Sequence, residues 1–205
     1  MTGIENDLGM FSALLAGISL SAASGLRVFL PLLGVGLASH FGFLELGEGF
    51  DWMASEPVLI VVGLAALLEA SAYYIPIVDN LLDTLATPAA MAGGTVIVSS
   101  LMPELNAPAH WATALLLGGG TAGIVQASTV VARGASTATT GGLANPILAT
   151  LETGGSIMAV ALALLIPVVF GLLVIGLIVL LIYRLIRRSI RQGAPDSNQG
   201  LPPEL

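Results

Sequence analysis

The stretch SIMAVALALLIPVVFGLLVIGLIVLLIY, residues 156–183, carries no charged side chain and runs directly into Arg184. A helix needs about 20 consecutive apolar residues to cross the hydrocarbon core of a bilayer. This run exceeds that, so it is predicted to be a membrane span and the most lipid-exposed one in the chain. Four more stretches meet or approach the same length: residues 8–39, 57–75, 89–102 and 111–132. The expected fold class is therefore all-α, an integral membrane helical bundle of about five transmembrane helices with short amphipathic or re-entrant polar helices. The first stretch is long for one straight span and holds Ser19, Ser21, Ser24, Gly25, Arg27 and Pro31 in its middle. It is either one kinked helix or two pieces broken near Gly25, and a hairpin there would raise the count to six.

Composition agrees. Hydrophobic residues make up 56% of the 205 and charged residues only 9%, giving a mean hydropathy of +0.96. Length predicts a single polytopic domain over residues 1–190, followed by a disordered cytoplasmic tail, residues 191–205, rich in Pro, Gly, Asn, Ser and Gln. Absence of cysteine excludes disulfides and thiolate chemistry. All six basic residues are arginines and no basic face is present, so nucleic acid is not an expected partner. Arg184, Arg187, Arg188 and Arg191 follow the last apolar run, which places the C-terminus in the cytoplasm by the positive-inside rule. The N-terminus lacks the basic region of a signal peptide. Residues 40–56 are acidic and aromatic and suit the membrane interface.

Charges retained inside apolar runs carry the functional information, because each costs a few kcal/mol or more at membrane depth. They are Arg27, Glu69, Asp79, Asp83, Arg133 and Glu152. Asp79, Asp83 and Thr87 are spaced i, i+4, i+8 and share a helix face, with Asn80 and Thr84 beside them. Two carboxylates one turn apart share a proton, take a cation or pair with arginine. These five residues are the first candidate ion or solute site, on a short amphipathic helix that could also simply lie wetted in the interface. Glu69 has Tyr73 four residues on, so acid and phenol face the same way. It reads either as a relay or as a structural partner of an arginine.

Arg27 and Arg133 must find carboxylates, carbonyls or an anion, since arginine stays charged. With Glu152 they form an expected charge-tuning or ion-pair set, unless Arg133 and Glu152 snorkel to the interface. If all six ionise, four acids against two arginines leave −2, which points to protonated acids or a bound cation. Gln126, Ser128 and Thr129, with Asn145, are candidate cavity lining. The Gly134–Gly142 segment is expected to be either a re-entrant loop or an exposed linker, with Asn145 then capping a short helix through Glu152. Small residues four apart, Gly17/Ser21/Gly25 and Gly119/Gly123/Ala127, predict close helix crossings.

No His pair at metal-ligand spacing and no nucleophile elbow appears. The chain is not expected to be an enzyme or to hold a cofactor, and no metal is assigned. The runs Ser21-Ala-Ala-Ser-Gly-Leu-Arg-Val-Phe-Leu-Pro31, Tyr73-Tyr-Ile-Pro-Ile-Val-Asp-Asn-Leu-Leu-Asp-Thr84 and Ser136-Thr-Ala-Thr-Thr-Gly-Gly-Leu-Ala-Asn-Pro146 resemble the signatures of a membrane-protein family known as domain of unknown function 4126. The resemblance spans residues 17–181. It implies a multi-pass protein of a bacterial plasma membrane and implies no activity. The expected function is a transporter or channel for a small ion or solute. The alternative is a non-transporting membrane scaffold or lipid-associated protein, its charges forming structural ion pairs. Expected partners are the bilayer and a small ion or solute, with a homo-oligomer as a further expectation.

Overall fold

The first apolar run is two helices. α1 (Thr2–Ser24) stops at Gly25 and Leu26, and α2 (Phe29–His40) starts after Val28. Pro31 sits in the first turn of α2, where its missing N–H falls among donors that have no helical partner anyway. In the computed structural model the backbone is described for residues 2–74, 76–103 and 105–192, and side chains for 8–74, 85–103, 105–184 and 186–187.

A 3-10 turn (Asp51–Ala54) leads to α3 (Glu56–Ala72), and then α4 (Pro76–Leu101) follows. The expected short helix around Asp79–Thr87 is not separate from the span after it. α4 runs through Pro88 without a break, 26 residues in all, or about 39 Å at 1.5 Å per residue. Ending the helix at membrane depth would strand backbone groups without partners, at several kcal/mol each.

α5 (Ala107–Ala114), a π-helical turn (Leu115–Gly119) and α6 (Gly120–Thr140) form one continuous rod. The Gly134–Gly142 segment is therefore neither re-entrant loop nor linker, since it stays helical to Thr140. The hydroxyls of Thr139 and Thr140 donate to the carbonyls of Ala135 and Ser136 within the helix. Gly141, at φ 65°, ends it in the left-handed conformation glycine tolerates.

The 156–183 run also divides. α7 (Asn145–Leu165) and α8 (Pro167–Gln192) meet at Ile166, with φ −136° and ψ 58°. A proline disfavours the helical region for the residue before it, which explains the break. Asn145 is the first residue of α7 and not its cap. Its amide instead donates to the Thr137 hydroxyl at 3.3 Å. Among the described residues the chain is all helix and turn. It forms seven helical rods, consistent with the expected helical membrane bundle. Three, Ala107–Thr140, Asn145–Leu165 and Pro167–Arg184, are long and apolar enough to cross a membrane. The expected tail beyond residue 192 lies outside the described residues.

Successive rods through α7 run antiparallel. Gly36 meets Leu59 while Val28 meets Glu69, so α3 reverses α2. Gly17 meets Val98 and the Ser24 hydroxyl reaches Ala90 O, so α4 reverses α1. Gly25 meets Ala122, and Gly94 meets Gly118. Ser156 donates to Ala23 O while Gly34 packs on Val160, so α1 and α2 run in opposite directions along α7. The α1–α2 connection is thus a turn-back, and it lies deep inside the bundle. Ala90 is level with Ser24, so α4 extends about 20 Å past the turn. Ala122 is level with Gly25, so α6 extends about 25 Å past it. The core below the turn gathers Leu20, Val35, Met53, Ile97, Leu101 and Ala163.

Candidate functional site

The helix ends at the turn expose polar backbone, and the chain meets it with charge. Glu69, near the end of α3, accepts from the Val28 N–H at 2.8 Å and the Phe29 N–H at 3.1 Å. Its carboxylate therefore closes the N-terminus of α2, where free N–H groups and the helix dipole favour negative charge. Tyr73 follows one turn later, at the C-terminal cap of α3, and is 5% exposed.

Arg27, in the turn itself, is 2% exposed and reaches across to α7. Its Nε donates to Thr153 Oγ1 and one terminal nitrogen to Ala149 O, both at 3.0 Å. The other terminal nitrogen lies 3.2 Å from Glu152 Oε2. Arg133, on α6, meets the same carboxylate through two nitrogens: its Nε donates to Oε1 at 3.1 Å, and a terminal nitrogen donates to Oε2. Glu152 thus bridges two guanidinium groups. Both guanidinium carbons lie 4.1 Å from the centre of the Tyr73 ring, a distance at which an aromatic face attracts a cation. One carboxylate and one ring are shared by two buried arginines. Arg133 and Glu152 do not snorkel: the intramolecular pairing stands in for the water they would have sought.

The other candidates separate into three groups. Asn145 is buried beside the cluster's end of the bundle, and Gln126, 4% exposed, lies on α6 two turns before Arg133. Ser128 and Thr129 do not line a cavity through free hydroxyls, for they donate to the carbonyls of Ile124 and Gln126 in their own helix. Ser128 is exposed as well, because it sits about 200° round the helix from Gln126. Thr87 is half-buried on α4. Asp79, Asn80, Asp83 and Thr84 are placed as backbone on α4, and their side chains lie outside the described residues. The four described charges sum to zero if all ionise, two arginines against Glu69 and Glu152. The surplus of two negative charges then falls on Asp79 and Asp83.

Sequence reasoning missed Thr153, Ala149 and the role of Glu69 as an end-cap, because these depend on which helices touch. It also missed the Tyr74 hydroxyl, 2.8 Å from Thr150 Oγ1 on α7. Among the described residues no group of three or more His, Asp or Glu is placed to hold a metal ion.

An all-helical bundle with a buried charge cluster and apolar outer faces on α3, α7 and α8 is a membrane protein in contact with the bilayer. Residues 14–188 match the family described as a domain of unknown function (DUF4126), and the chain belongs to that family. No functionally curated protein matches the chain, and no solved structure does.

Proposed function

We propose that this protein is a transporter or channel for a small ion or solute, with its site at the level of the α1–α2 turn. The depth of that turn carries the reading. α1, α2 and α3 all end near it, whereas α4, α6 and α7 continue past it. The continuing helices bear the remaining intramembrane polar positions, among them Asp79, Asp83, Thr87, Gln126 and Asn145. Helix ends brought together at membrane depth are the usual place for substrate and coupling-ion sites in transporters, and non-helical backbone there is tolerated where protein or a cavity shields it. In this reading Asp79 and Asp83 take the cation or proton, with Asn80, Thr84 and Thr87 as further ligands. Arg27, Arg133 and Glu152 fix the floor, and Glu69 with Tyr73 joins the floor to α3.

The experiment is flux into liposomes holding the purified protein, across protons, alkali cations and small metabolites, with thermal stability measured on the same samples. Asp83→Asn is expected to abolish flux and leave the unfolding midpoint within a few degrees of wild type. Retained flux in the variant would sink the acidic-site reading.

A second reading is a non-transporting scaffold, and the pairing of Arg27 and Arg133 through Glu152 favours it. It requires the opposite result: no flux in wild type, and a large loss of stability in Asp83→Asn. The arginines after the last span support a cytoplasmic C-terminus. Because the chain has no cysteine, a Ser197→Cys variant should resist a membrane-impermeant thiol reagent in intact cells and react in opened ones.

A further inference from the structure

α3 is an outlying helix. It packs on α2 and on the 3-10 turn, with little backbone approach to α4 among the described residues. Between α3 and α4 lies a cleft of about 320 Å³, at the lower end of the range for small-molecule sites, roughly 300–1,000 Å³. Its walls are apolar, with Ala65 and Ala72 on one side and Ala86 and Ala89 on the other. Leu68 and Leu85 flank it and are 70% and 60% exposed, so the mouth opens towards lipid. Its inner end is polar and holds Glu69 and Tyr73.

We infer that this cleft binds a small lipophilic ammonium compound entering sideways from the bilayer, its head on Glu69 and its hydrocarbon body between α3 and α4. The inference rests on the transport reading above and gives that site a substrate class. Charge decides the head group. Among the described residues lining the cleft Glu69 is the one carboxylate, and none is an amine, guanidinium or imidazole. Among the described residues each of its oxygens accepts one backbone N–H, and a carboxylate has about four lone-pair sites. The side chain is half-buried, so it faces low-dielectric space in which a carboxylate needs a donor or a cation. Arg27 attracts it through space but donates no hydrogen bond to it among the described contacts. Its nitrogens are turned to Thr153, Ala149 O, Glu152 and its own neighbour's carbonyl. Apolar walls decide the body, since a hydrated inorganic ion would lose its water there without replacement. An alkanoate would meet Glu69 with like charge.

The test uses the full-length protein in lipid nanodiscs. Its unfolding midpoint is followed against hexylammonium, with hexanol and hexanoate at matched concentrations. A ligand that binds only the folded state raises the midpoint with concentration. The expected result is a rise with hexylammonium alone, lost in Glu69→Gln and in the cleft-filling variant Ala65→Phe. Should Glu69→Gln fail to fold, Ala65→Phe and Ala89→Phe still decide the matter, because neither removes the carboxylate. Equal rises with hexanol and hexylammonium, or an undiminished response in both cleft-filling variants, would overturn the inference. Flux of an inorganic cation that depends on Asp83 without any hexylammonium response would leave the transport reading standing and this one refuted. A hexylammonium response without flux of any solute would do the reverse.

Discussion

Two regions at the centre of this bundle are held by opposite means. Along the seam where α1, α4 and α6 cross, the residues are small and the backbones nearly touch. A methyl group added at Gly118 would collide with Gly94 O, and one at Gly25 would lie 2.5 Å from Ala122 O. The Ser21 hydroxyl donates to Gly94 O at 2.9 Å across the same seam. A few turns away, around Tyr73, the residues are large and charged, and Glu152 ties Arg27 to Arg133. The seam works because lipid tails offer no hydrophobic drive between helices, so close packing must replace it. The cluster works because its charges are buried and must be paired within the protein. Shape complementarity fails gradually when disturbed, whereas a buried charge left alone fails abruptly.

That contrast sets the order of expected effects. Glu152→Ala removes the shared carboxylate and leaves two buried guanidinium groups facing each other, which should cost about 3–5 kcal/mol. Little folded protein should survive extraction, as read by the monodisperse yield in detergent. Near-normal yield would show that the arginines hold other partners of equal strength. Gly118→Ala attacks the seam, and overpacking of this kind costs about 1–3 kcal/mol. A clear drop in unfolding midpoint with the fold retained is expected, and an unchanged midpoint would mean that the crossing slides apart freely. Tyr73→Leu keeps an apolar side chain and removes the aromatic face over both guanidinium carbons. For a desolvated contact that is worth about 2 kcal/mol. Tyr73→Phe should recover most of the loss in a melting series, and failure to do so would transfer the effect to the hydroxyl. Gly134→Ala is the smallest change. Nothing lies within 4 Å of the added carbon, and alanine favours a helix over glycine by about 1 kcal/mol. The midpoint should rise slightly, and a fall would place an unseen neighbour there.

Legibility in the sequence followed the range of the interaction. Arg27, Arg133 and Glu152 stood out because charge in an apolar run is conspicuous at a single position. Their convergence was not legible, since residues 27, 133 and 152 share no local pattern. The break near Gly25 was foreseen as one of two options, because glycine and a nearby proline act locally. The break at Ile166 was overlooked, although Pro167 stood inside the apolar run. The Gly/Ser/Thr segment was misread for a related reason. Composition suggested a loop, but each threonine hydroxyl can close on a carbonyl one turn back, and the helix persists to Thr140.

Local pattern suffices to make this a helical membrane protein, because helices satisfy their own backbone and apolar runs of this length have no cheaper solvent than lipid. It also marks which side chains are costly there. That α1 and α2 turn back inside the bundle, that Glu69 closes α2, and that two arginines share Glu152 emerges from the packed helices alone. Those outcomes depend on which helix faces which. That is fixed by the close approach of small residues on α1, α4 and α6, a property of pairs of surfaces and not of any one stretch of chain.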